Sequence, residues 1–107
     1  MAAFRWVYVA CQDESEARRL ARMALEKRLA ACANIFPMAS LFWWNGKIVD
    51  SPETALVLKT RAVLVRQLFA LLKKAHSYEV PCMDALPILE MNPDCAAWLR
   101  RQTRSKR

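Results

Sequence analysis

The dipeptide Asn45-Gly46, which holds the chain's only glycine, stands between Leu41-Phe42-Trp43-Trp44 and Lys47-Ile48-Val49. Asn and Gly both tolerate positive φ, which a type I′ turn demands at its two central positions, so the flanking runs should close as an antiparallel hairpin. β-branched and aromatic residues dominate from Asn34 to Thr60, so both strands should be long. Pro37 and Pro52 lie at similar distances on either side of the turn, and each removes a ladder donor. Bulges or edge positions are expected there.

The other elements fall around this hairpin. Phe4, Trp6, Tyr8 and Ala10 alternate with Arg5, Val7, Val9 and Cys11, the two-residue period of a first strand. Asp13 followed by Glu16 has capping-box spacing, and Ala17, Leu20, Ala21, Ala24, Leu25 and Leu29 continue at helical intervals, predicting a helix over about 14–31. Leu64, Val65, Leu68, Leu71, Leu72 and Ala75 mark a second helix ending near His76-Ser77. Met83 to Leu89 reads as a fourth strand, broken or bent at Pro87, and Asn92-Pro93 opens a short helix through about Arg101. The fold class expected is α+β, a ferredoxin-like βαββαβ antiparallel sheet with an added C-terminal helix, built as a single domain over 1–107.

Such a sheet has a face that its two crossover helices cannot reach. Of the ten aromatic side chains, Phe4, Trp6, Tyr8, Phe36, Phe42, Trp43 and Trp44 fall in the first two strands. Both faces of the first strand are largely apolar, so one must be covered by something besides those helices. A second subunit is one cover, and single-stranded RNA stacked on the rings is the other. The third strand, Lys47 to Leu58, has no aromatic and no glycine, whereas RNA-recognition sheets carry a basic-Gly-aromatic run there. Oligomerisation is the expected cover, and nucleic acid is not an expected partner.

The chain carries 17 basic and 10 acidic residues, a formal charge of +7. Arg100, Arg101, Arg104, Lys106 and Arg107 supply five of the cations, and without them the remainder is +2, so the excess is expected in a frayed basic tail over about 102–107. No apolar window is long enough to span a bilayer, and Arg5 interrupts the region a secretory signal would need clean, so no membrane association is expected. Cys11, Cys32, Cys82 and Cys95 form no C-x-x-C pair, which suggests free thiols and a cytoplasmic location.

Ala31-Cys32-Ala33-Asn34-Ile35, Ser40-Leu41-Phe42-Trp43-Trp44-Asn45-Gly46-Lys47, Glu53, Lys59-Thr60 and His76-Ser77-Tyr78-Glu79-Val80-Pro81 together resemble the CutA family of divalent-cation tolerance proteins, in order and spacing over nearly the whole chain. The resemblance implies a homotrimer of ferredoxin-like subunits similar to the PII signalling proteins. It also implies a role in tolerance of divalent ions, chiefly copper. The family's proposed copper site places Cys11 and His76 as ligands, with Cys82 standing where a glutamate is usual. Thiolate and imidazole suit copper(I) or zinc better than harder ions. Glu53, Lys59 and Tyr78, with Trp44 and Cys32, match positions around a cleft between subunits. There a Glu53–Lys59 pair would hold a small anion or zwitterion, or serve as an interface salt bridge. Ser77 replaces the usual proline of His-Pro-Tyr-Glu, which loosens that turn. Cys32 and Cys95, each beside alanines, read as packing residues. With one histidine, no G-x-S-x-G, no Gly-rich phosphate loop and no H-E-x-x-H, no catalytic site is expected.

Overall fold

The computed structural model describes residues 2–105. Its elements are β1 (Phe4–Cys11), α1 (Glu14–Glu26), β2 (Cys32–Trp44), β3 (Lys47–Arg61), a 3₁₀ turn (Ala62–Leu64), α2 (Val65–Ala75), β4 (Met83–Ile88) and α3 (Pro93–Gln102). The four strands form one antiparallel sheet in the order β2-β3-β1-β4, the arrangement expected of a split βαβ chain.

The hairpin closes at Asn45 (φ 52°) and Gly46 (φ 74°), both left-handed as a type I′ turn requires. Register runs unbroken from Cys32↔Lys59 to Trp44↔Lys47, so neither proline makes a bulge. Both prolines are instead accommodated at edges: Pro37 lies on the outer strand β2, and Pro52 lies beyond Cys11↔Thr54, where β3 has lost its neighbour β1. Pro87 does not break β4 either. It pairs with Arg5 in continuous register, because β4 is the other edge strand.

The first helix stops short of the expected 14–31. Its end is a Schellman turn, with Arg28 at φ 59°, the Arg28 N–H donating to Leu25 (3.0 Å) and the Leu29 N–H to Ala24 (3.0 Å). Glycine usually marks such a turn; here an arginine adopts it, so sequence periodicity ran on past the true end.

Val7, Val9, Cys11, Leu56 and Leu58 pack against Ala17, Leu20, Ala21 and Ala24 of α1 and Leu68 and Leu72 of α2, forming the main core. The opposite face is partly covered by α3, whose Ala96 and Leu99 pack on Phe4 with Ala31, Ile88 and Met91. Above that patch the face is open, with Trp6, Phe36, Phe42, Trp44 and Leu86 exposed. Residues 38–53 of the hairpin project past the end of β1 as a two-stranded ribbon.

The end expected to fray at 102 is tied down. Gln102 closes α3, and Thr103 is buried with its hydroxyl donating to the Leu99 carbonyl at 2.9 Å. The Arg104 N–H donates to the Arg28 carbonyl at 2.9 Å. Lys106 and Arg107 lie outside the described residues. Among the described residues no helix is long and apolar enough to cross a membrane.

Candidate metal centre

Cys11 ends β1 on the helix-covered face, and His76 caps the C-terminus of α2 through its N–H to Leu72 (2.9 Å). The two meet beneath the first turn of α1, where Glu16 joins them. One donor atom from each of Cys11, Glu16 and His76 lies within 4.8 Å of the others, and all three residues are buried.

Glu16 is the organising side chain. Asp13 Oδ1 accepts the Glu16 N–H at 2.9 Å while Glu16 Oε1 accepts the Gln12 N–H at 2.9 Å, a reciprocal cap at the start of α1. Its other oxygen accepts the Ser77 N–H at 2.7 Å and lies 3.5 Å from Arg19 Nη2. Proline at residue 77 would have no such N–H to give. The turn that loses proline's rigidity is therefore held by a carboxylate clasp. Burial alone would raise the Glu16 pKa; the hydrogen bonds from Gln12 and Ser77, with His76 nearby, outweigh it and hold it below the usual value.

The His76 ring is fixed at both nitrogens. Nδ1 accepts the Tyr78 N–H at 3.0 Å, so Nε2 carries the proton donated to the Ala10 carbonyl at 2.8 Å. The Cys11 thiol, fully buried, is pushed up to about 12 by burial and by the charges of Glu16, Glu53 and Asp13.

Cys82 does not join this group. The Ala10 N–H bonds the Cys82 carbonyl at 3.3 Å, extending the β1–β4 register by one pair, and side chains of paired residues share a face. Cys82 therefore points with Ala10 to the open face, opposite Cys11. There it is exposed, 3.7 Å from Asp84 Oδ2.

The expected cleft group divides as well. Trp44, Glu53 and Tyr78 line one concavity of about 940 Å³ together with Tyr8, Met38 and Phe42. Tyr78 donates its hydroxyl to Glu53 Oε2 at 2.7 Å, and burial followed by the Glu53 contact raises its pKa. Lys59 lies six residues along β3 from Glu53, about 20 Å on an extended strand, and pairs with Trp6 and Cys32 instead. Within one chain no Glu53–Lys59 salt bridge forms, and Cys32 belongs to the Lys59 end.

The residue that sequence reading missed is Glu16, assigned only a capping role. The cap itself was the available signal, because it turns the carboxylate back over the junction where β1 ends at Cys11.

Nitrogen, sulfur and carboxylate donors fit a borderline or soft cation in kind. The spacing is wider than a closed site: His76 Nδ1 and Glu16 Oε2 stand 3.8 Å apart and the three donors lie within 4.8 Å, against an edge of about 3.4 Å for bonds of about 2.1 Å in a tetrahedral site, so the side chains would draw in around an ion. Binding there would replace the Cys11 proton and the Tyr78 hydrogen bond.

The chain is thus a small α+β domain with a three-donor cluster under its first helix. Residues 5–102 match the family described as CutA1 divalent ion tolerance protein, and the chain belongs to that family. The divalent-cation tolerance protein CutA of Archaeoglobus fulgidus is 45% identical over 83 residues, 78% of this chain and 81% of that protein. Protein CutA of Mus musculus is 38% identical over 99 residues, and the chain spans 56% of its length. Among solved structures, CutA from Synechococcus elongatus superposes with a TM-score of 0.93 at 30% identity, covering 97% of this chain and 93% of that one. The periplasmic divalent cation tolerance protein CutA from Archaeoglobus fulgidus gives 0.91 at 38%, covering 92% and 97%.

The last of these overturns the cytoplasmic location expected above, since a protein of this fold and family is described as periplasmic. All four cysteines are free, but free thiols do not by themselves report the compartment.

Proposed function

We propose that the chain serves divalent-metal tolerance by holding a copper(I) or zinc ion at Cys11, Glu16 and His76, without catalytic turnover, as a homotrimer. The observation that carries this reading is the convergence of three buried donors within 4.8 Å in a member of a divalent ion tolerance family. Cys11 would supply a thiolate, His76 an imidazole nitrogen and Glu16 the carboxylate that position 82 lacks. Competition titrations with chromogenic chelators should give one copper(I) or zinc per chain. Affinity should fall at least tenfold in Cys11→Ser, Glu16→Gln and His76→Ala and stay unchanged in Cys82→Ser. Wild-type affinity in the first three variants would remove the site.

The trimer is supported by the open aromatic face and the projecting ribbon, both of which need cover in water. A second reading, a sensory module for a small ligand, draws on the concavity that holds the Tyr78–Glu53 bond. A metabolite screen by thermal shift separates the two, since a ligand bound only by the folded state raises Tm.

A further inference from the structure

The basic residues that look like a solvated tail in the sequence converge, in the fold, with arginines from two distant segments. Arg28 follows α1, Arg61 ends β3, and Arg100, Arg101 and Arg104 come from the end of α3 and just beyond. Arg28 Nη1 donates to the Gln102 carbonyl (3.3 Å) and to Gln102 Oε1 (3.0 Å). Arg61 Nε donates to Thr103 Oγ1 at 3.0 Å, and its Nη2 donates to the Arg104 carbonyl. The Arg100 guanidinium sits 4.9 Å over the Phe4 ring. Lys27 adjoins Arg28 on the same turn.

The partners of the Arg28, Arg61 and Arg100 side chains named here are backbone carbonyls, neutral side chains or a ring, so these contacts fix the three guanidinium groups in place without neutralising them. The arginine–carboxylate pairs Arg18–Glu14 and Arg19–Glu16 both lie on acids of α1's first turn, away from this end of the domain. Glu26, Glu90 and Asp94, the acids on the neighbouring elements, are exposed and take no part in those two pairs. Arg100 and Arg101 in the last turn of α3, and Arg28 through its bond to the Gln102 carbonyl, also complement the C-terminal dipole of that helix, whereas Arg61 bonds Thr103 and Arg104 at and beyond its end. Five of the six cations are arginines, whose planar forks take two phosphate oxygens at once. Trp98, partly exposed on α3, lies one helical turn from Arg101 and offers a ring for a base to stack on.

We propose that this arginine-lined end of the domain binds the phosphate backbone of single-stranded nucleic acid, with Trp98 as a stacking platform. The surface is separate from the Cys11–Glu16–His76 cluster and does not depend on it.

The test is fluorescence anisotropy of the full chain with a labelled 20-nucleotide oligouridine. Four phosphate contacts predict binding about fifty-fold weaker at 200 mM than at 50 mM salt, a log-log slope of about −2.8. Arg100→Gln with Arg101→Gln should flatten the slope by about 1.4, and Trp98→Ala should weaken binding about tenfold at unchanged slope. Circular dichroism melts confirm that the variants fold, and Arg101→Gln alone, at an exposed position, keeps the slope test available if the double variant does not. No binding at 50 mM salt, or an unaltered slope in both arginine variants, overturns the proposal. So does complete loss of binding on deleting 105–107, which would assign the affinity to the chain end. Binding to phosphatidylserine vesicles with no binding to RNA, or displacement of RNA by micromolar inorganic triphosphate, would identify another occupant and also overturn it.

Discussion

Glu16 ties two distant segments together, because its two oxygens bind the start of α1 to the end of α2. Truncation to alanine would leave the Gln12 and Ser77 N–H groups without their acceptor, so Glu16→Ala should cost about 2–4 kcal/mol in urea denaturation with a chelator present. The same side chain sets an acid limit. Its folded pKa lies below the unfolded value, so the unfolded chain binds the proton more readily. The stabilisation is therefore complete above the unfolded pKa and is lost as pH falls through the folded one. The wild-type urea midpoint should drop between pH 5 and pH 3 by more than that of Glu16→Gln, and parallel curves would show that the carboxylate is not the cause. At the same scale, Cys11 is fully buried with its thiol pushed up to about 12, whereas Cys82 is exposed. Iodoacetamide at neutral pH should label Cys82 well before Cys11, as read by peptide mass spectrometry.

At the scale of elements, what the sequence made legible was whatever rests on local periodicity. The hairpin, both amphipathic helices and the proline-led last helix follow from spacing alone, and the structure has them in those places. Boundaries failed where the local rule has an unusual occupant, as at Arg28, which takes a left-handed turn without being glycine. The candidate site was half legible: Cys11 and His76 were placed, but Cys82 was assigned without the strand parity that sends it to the other face. Lys59 and Glu53 stand six residues apart on β3, so a cleft that joined them would have to draw the two from different copies of the chain. The turn at Asn45-Gly46 tests how far local chemistry governs the ribbon. A Cβ on Gly46 would meet nothing within 4 Å, so Gly46→Ala carries the cost of positive φ alone. That cost is about 1–2 kcal/mol per residue, and it should appear as a lower denaturation midpoint with the secondary structure retained. A neutral substitution would mean that the turn is not held in the type I′ form.

For the whole molecule the governing fact is a sheet with covers of unequal extent. Helices α1 and α2 bury one face, while α3 reaches only the Phe4 patch of the other. Trp6, Phe36, Phe42 and Trp44 remain roughly half exposed, which leaves about 100 Å² of each ring wet and several hundred Å² of apolar surface in all. That approaches the largest patches found on monomers before Leu41, Trp43 and Ile48 at the ribbon tip are added. A ribbon of two strands is also marginal by itself in water, so its extension beyond β1 calls for contacts from outside the chain. If copies of the chain supply that cover as a homotrimer, light scattering should give about three times the 12.3 kDa chain mass at micromolar concentration. Trp6→Glu would place a charge in the middle of the face. A half-exposed position tolerates this in a monomer, but a desolvated interface cannot without burying an unpaired carboxylate. The variant should therefore fall to a single-chain mass while keeping its far-ultraviolet circular dichroism. A wild type that runs as a monomer, or a Trp6→Glu variant of unchanged mass and stability, would mean that the aromatic face is not the surface through which the copies meet.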